Sequence, residues 1–295
     1  MANVGTERKG GEVYMLIRTT RSQIGFLLRQ KEAVLTLWVL MLLMLANFVQ
    51  NCQMFQGQDM LELAHTTKMG LLSWSRANYS ADLALLFQQL YPLLVVCPAG
   101  FVLAKERGTQ EHVLMITRMG SGTYYFSKLL SAFVVTTMVF SVPFLVEMLL
   151  HIIAFSTKPT WDLSYWEAYD PDYIAEVRNY LFSGLYIRSP YGYAVVKIVL
   201  FGLFSGLMGA FSVAVSALYR VKFRITVLLP VFLLLNLSVY APVILRNMEG
   251  LVAWNVFLML HEDAVKNVPV FLAALVLVIF VSVGGTFWAA RRDQL

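Results

Sequence analysis

Six stretches of the chain stay apolar for longer than a soluble core element needs: Ala33 to Val49, Leu83 to Leu103, Leu129 to Phe155, Ala194 to Leu218, Ile225 to Leu245 and Val268 to Ala290. A helix needs about 20 apolar residues to cross the ~30 Å hydrocarbon core of a bilayer. These runs are close to that length or longer. They are also continuous, whereas the strands of a membrane barrel alternate lipid-facing and lumen-facing residues over about ten positions. The pattern predicts an all-α, polytopic membrane protein: six transmembrane helices within residues 33–295, after an N-terminal segment of residues 1–32.

In that first segment Leu16, Ile17, Ile24, Leu27 and Leu28 share one helical arc, while Arg18, Arg21 and Arg29 share another. The spacing predicts an amphipathic helix lying in the membrane interface. The alternative is a simple continuation of the first span, which Gly25 and the short basic face leave open.

Composition agrees with a membrane protein. The 295 residues are 58% hydrophobic and only 14% charged, too apolar for a soluble globule of this size. The connections between runs are too short for a large soluble domain, which excludes a built-in ATPase. A net charge of +5 fits a membrane face better than nucleic acid, because basic residues beside apolar spans mark the cytoplasmic side. With the N-terminus inside, the inner segments hold fifteen of the 23 Lys and Arg residues and the outer segments seven. Both termini are therefore expected in the cytoplasm. A basic and polar lead precedes the first run without a convincing cleavage site, so that run is expected to stay in place.

The remaining segments add little chemistry. Cys52 falls just outside the first run and Cys97 deep within the second, so a disulfide between them needs an implausible match of depth. Asn78-Tyr79-Ser80 is a glycosylation sequon, of weight only in a eukaryotic source. The segment 161–193 is dense in aromatics and carboxylates, suiting either an aromatic belt at the headgroups or a vestibule for a cationic or amphiphilic cargo. Residues 246–267 suit a shallow re-entrant or interfacial pair of helices. In the fourth run Gly202, Gly206 and Gly209 permit close helix packing, within the subunit or between subunits.

Three residues that can carry charge near neutral pH fall within apolar runs: Glu147, His151 and Lys197. At ~1.5 Å per residue Glu147 lies about 27 Å beyond Leu129, and Lys197 about 5 Å inward from Ala194. Both reach a similar depth near the outer side, where charge is costly unless paired or hydrated. An intramembrane polar pair of Glu147 and Lys197, with His151 one turn on, is therefore expected.

The second and third runs are joined by a segment from Lys105 to Lys128 in which charged ends flank an apolar stretch, Val113-Leu114-Met115-Ile116, followed by Gly120-Ser121-Gly122 and Tyr124-Tyr125. Thirteen residues, 106–118, make a helix of about 20 Å. Four consecutive apolar residues between charged ends call for a partner's groove. This order resembles the type-2 ATP-binding cassette exporter permeases, in which an acidic residue two before Gly-Thr opens the loop, a short coupling helix follows, and a small-residue turn precedes an aromatic and a Lys. Six spans, inner termini and an interfacial N-terminal helix are also similar to that family. Met119-Gly120, in place of a proline-containing turn, and the length of 161–193 depart from it.

The resemblance implies a transport subunit rather than an enzyme, moving cargo outward in a bacterial cytoplasmic membrane and embedded in its lipid. It implies two cytoplasmic ATPase subunits carrying ATP and Mg, and a second permease, identical or not. Val113, Leu114 and Ile116 are expected to fill a cleft on the ATPase while Glu106, Glu111 and Arg118 orient the helix. The chain itself is expected to bind no cofactor or metal and no nucleic acid. It has no Gly-x-x-x-x-Gly-Lys-Ser/Thr phosphate loop, and its histidines, at positions 65, 112, 151 and 261, have no ligand spacing. An ion-coupled secondary transporter using Glu147, His151 and Lys197 is the alternative, and no internal inverted repeat is evident to support it.

Overall fold

The computed structural model describes residues 4–54, 87, 90–154, 184–185, 190–219, 224–244 and 268–293. The sequon, His65, His261, the segment 246–267 and most of 161–193 lie outside the described residues. All regular structure among those described is helical. We number the helices α1 (Val4–Leu28), α2 (Lys31–Met54), α3 (Val102–Gly108), α4 (Glu111–Met119), α5 (Ser121–Ala154), α6 (Pro190–Leu218), α7 (Leu228–Ile244) and α8 (Val268–Arg292).

Four helices contain segments long and apolar enough to cross a membrane: Lys31–Gln53, Ser121–Ala154, Gly192–Leu218 and Leu272–Arg292. The protein is an integral membrane protein built from these. The fifth predicted run begins as a short 3-10 turn, Arg224–Val227, and continues as α7, 17 residues long. The second, described from residue 90, is not one helix to Leu103. After Leu94 the chain passes through successive turns, with Gly100 N–H donating to Val96 O at 2.8 Å, before α3 begins. Pro98 lies in those turns and has no N–H to continue a helix ladder.

The longest of these helices, α5, packs against α1, α2, α6 and α8. Its seam with α6 is made by glycine. A methyl group at Gly202 would lie 1.8 Å from Ser141 Oγ, and one at Gly206 would lie 2.1 Å from Thr137 Oγ1 and 2.6 Å from Phe133 O. Bare backbone therefore sits against α5, and the glycine spacing serves packing within the subunit. Beside this seam Phe87, Tyr91, Phe140, Phe144 and Phe201 form an aromatic core with neighbouring ring centroids 5.4 to 6.0 Å apart. Buried Tyr91 OH meets Ser205 Oγ at 2.9 Å, so its polar tip is satisfied.

Each outer helix divides into two stripes. On α2 Leu40, Met44, Asn47 and Asn51 are buried, while Leu35, Trp38, Leu42, Leu45 and Val49 are exposed. On α8 Leu272, Val276, Phe280, Val283 and Phe287 are exposed. Apolar side chains turned outward at helical spacing are what a lipid-facing surface requires. The amphipathic segment does form a helix, α1, separate from α2 after a break at Arg29-Gln30. Its face of Thr20, Gln23 and Leu27 is buried, and Ile17, Arg18 and Arg21 are exposed.

Candidate functional site

The polar chemistry gathers at two ends of the bundle. At one end, rich in Arg and Lys, α3 and α4 connect to the start of α5. The sequence suggests a single helix over 106–118, but the structure divides it. Gln110 adopts φ 60, in the left-handed region, and a non-glycine residue there breaks the helical ladder. Glu106 thus belongs to α3, while Glu111, Val113, Leu114, Ile116 and Arg118 belong to α4.

This break separates two roles. The Glu106 side chain is buried and forms an ion pair with Lys128 of α5, itself only 2% exposed. Tyr124 OH donates to Glu106 Oε2 at 2.5 Å, and Lys128 Nζ donates to Gln23 Oε1 of α1 at 2.6 Å. Rings of Phe26 and Tyr124 each lie 5.8 Å from the ammonium. A buried ion pair is tolerated when further hydrogen bonds complete both partners, and here both carboxylate oxygens are engaged. Glu106 therefore does not face outward to orient a partner, as the sequence reading expected. It ties α3 to α5, and through Lys128 to α1.

Arg107 extends the tie. Its Nη1 donates to Ser216 O at 2.6 Å and its Nη2 to Ala217 O at 3.1 Å, while Arg292 Nη1 donates to Leu218 O at 3.1 Å. The last carbonyls of a helix lack intrahelical donors and carry partial negative charge. Two guanidinium groups from α3 and α8 satisfy those of α6. Ser121 Oγ donates to Ala290 O at 2.8 Å, and Tyr125 OH donates to Asp293 Oδ2. Five helices are thus fastened at one level.

On this base α4 is a surface element. Leu114 is 63% exposed and Val113 50%, and Glu111, Thr117 and Arg118 are exposed beside them. Ile116 instead packs partly buried against the core with Met115 and Met119. The three apolar positions expected to share an outward face are therefore split: Val113 and Leu114 point out, and Ile116 holds α4 to the bundle. Glu111 in the first turn and Arg118 in the last suit the helix dipole.

At the opposite end Asn47 and Asn51, one turn apart on α2, meet Glu147 and His151, one turn apart on α5. Asn47 Nδ2 donates to Glu147 Oε1 at 2.6 Å, and Asn51 Nδ2 lies 3.0 Å from His151 Nε2. Phe48 stands edge-on to the imidazole, ring centroids 5.1 Å apart. The pairing of Glu147 with Lys197 is not what the structure builds. Glu147 takes the Asn47 amide, and the Lys197 ammonium lies over the Tyr193 ring, 5.5 Å from its centroid. Depth along the helices matches them, but the face of α5 bearing Glu147 looks to α2 rather than to Lys197 on α6. Asn47 and Asn51 complete the set that sequence reasoning missed; the signal was a second polar pair at the same four-residue spacing inside an apolar run. Cys52 and Cys97 are both free thiols.

No family model, no curated protein and no solved structure matches the chain.

Proposed function

We propose that this chain is the membrane subunit of an ATP-driven exporter of the type-2 ATP-binding cassette kind, working with two ATPase subunits and a second permease. In this reading six spans complete the architecture: the run 225–245 and the run 83–103, the latter with the turns after Leu94 at its inner end, join the four long helices. The Arg- and Lys-rich end faces the cytoplasm of a bacterial cell, and the ATPase carries ATP and Mg.

The observation that carries this reading is α4: a helix of nine residues presenting Val113 and Leu114 to solvent on a base otherwise fastened by buried polar contacts. Exposed neighbouring apolar side chains on a fixed helix suit a partner's groove. Closure of the ATPase pair pushes on α4. The push passes through α3, whose Glu106 and Arg107 hold α5 and α6, and reaches the glycine seam between those two spans. The energy transfer is mechanical, and this chain makes and breaks no bond.

The test is to purify the chain alone and together with the ATPase encoded beside it, then to compare nucleotide hydrolysis. The proposal expects a stable complex that hydrolyses ATP and a lone chain that does not. Robust turnover by the lone chain, or no assembly with any such ATPase, would overturn it.

A further inference from the structure

The α2–α5 contact has more acceptors than donors. His151 Nδ1 lies 2.8 Å from Glu147 O, and a backbone carbonyl only accepts, so Nδ1 carries the hydrogen. With the Asn51 amide nitrogen turned toward it at 3.0 Å, Nε2 accepts, which is the arrangement of an uncharged imidazole. Glu147 Oε1 accepts from Asn47, while Glu147 Oε2, Asn47 Oδ1 and Gln50 Oε1 are buried without a hydrogen-bond partner. Glu147 is 1% exposed and Asn47 0%. Gln50 stands three residues from Asn47 on α2, the spacing of neighbours on one helix face.

Among the described residues no cation meets Glu147: His151 turns Nδ1 to a carbonyl and Nε2 to the Asn51 amide, and the Lys197 ammonium lies over the Tyr193 ring. Buried charges in proteins are paired or coordinate a cation, and ionisable groups within membranes mark ion or proton sites. The shortage is thus specific: one positive charge, presented to acceptor oxygens.

We propose that this contact is an occluded site for one monovalent cation, received by Glu147 Oε2 with the side-chain oxygens of Asn47 and Gln50 beside it. A proton on the carboxyl and a sodium ion both cancel the carboxylate charge; the proton then donates one hydrogen bond, and sodium takes lone pairs from several oxygens. The site locks α2 to α5 when filled, and an empty site leaves a bare carboxylate that favours their separation. This inference is independent of the exporter reading and holds for any transport mechanism.

The test uses the full chain reconstituted in phosphatidylcholine vesicles, with melting temperature as readout. One arm varies pH from mildly acidic to mildly alkaline in potassium chloride. The other replaces potassium with sodium at constant pH and ionic strength. A ligand that binds only the folded state raises the melting temperature. The parent is expected to gain several degrees in one arm, which identifies the occupant, and Glu147→Gln is expected to lose that gain. The Gln amide is neutral and still offers Asn47 an oxygen, so this variant should fold. Gln50→Leu supplies a second check, since it removes one oxygen of the site and should displace the midpoint of the response. Identical behaviour of parent and Glu147→Gln in both arms, or an unmoved midpoint in Gln50→Leu, would overturn the three-oxygen site.

Discussion

Two buried acids, Glu106 and Glu147, are both nearly inaccessible to solvent yet are held in opposite ways. Glu106 meets a full cation, and Lys128, Tyr124 and Gln23 complete the set around it. Glu147 meets a neutral amide and keeps one oxygen without a partner. The first arrangement is closed, with charge balanced and donors matched to acceptors, and it fastens helices. The second is open by one positive charge. Burial alone therefore says little about what a buried acid does; the count of donors around it separates a fastening from an incomplete set.

The largest expected effect breaks the closed end. Lys128→Ala strands Glu106 in a buried position, and removing one partner of a buried pair costs about 3–5 kcal/mol. Thermal unfolding of the purified chain should show this directly. Glu106→Gln with Lys128→Met should recover most of the loss, since neither charge then remains.

Next in size is the seam that joins the two ends. Gly206→Val forces a side chain against Thr137 and the Phe133 carbonyl, and such overpacking costs about 1–3 kcal/mol. Loss of yield and a lower melting temperature are expected, because backbone does not move aside as a flexible side chain can.

A smaller effect on stability sharpens the contrast most. With neither sodium nor acid present, Glu147→Gln should change stability by under about 1 kcal/mol, or raise it, because it removes an unbalanced buried charge and keeps the Asn47 contact. Glu106→Gln is expected to destabilise, since it leaves Lys128 unbalanced. The same substitution thus has different outcomes at the two ends, and equal losses in both variants would dissolve the distinction.

The long apolar helices were legible because a bilayer imposes one simple demand, about twenty apolar residues in succession. Finer features depend on contacts between elements distant in sequence. Lys128, placed at the edge of an apolar run, read as a boundary residue; α1 and α3 bury it from two sides. Glu106 read as an outward charge because nothing local reveals that Lys128, on the next long helix, folds back onto it. The division of the loop turns on one residue, Gln110, whose left-handed backbone carries no sequence mark as strong as a glycine. At the other end Glu147 and His151 were visible as misplaced polar residues, and their true partners, Asn47 and Asn51, were hidden by being uncharged.

We read α4 as a coupling surface and not a connector, and Leu114→Asp decides between the two. Leu114 lies outside the core, so its replacement should leave stability within about 0.5 kcal/mol of the parent. An aspartate pressed into an apolar groove is costly. As a coupling surface α4 would give a Leu114→Asp chain that melts like the parent but assembles poorly with the proposed ATPase, or whose complex hydrolyses ATP without transport. A Leu114→Asp variant that assembles, hydrolyses and transports as the parent does would contradict it.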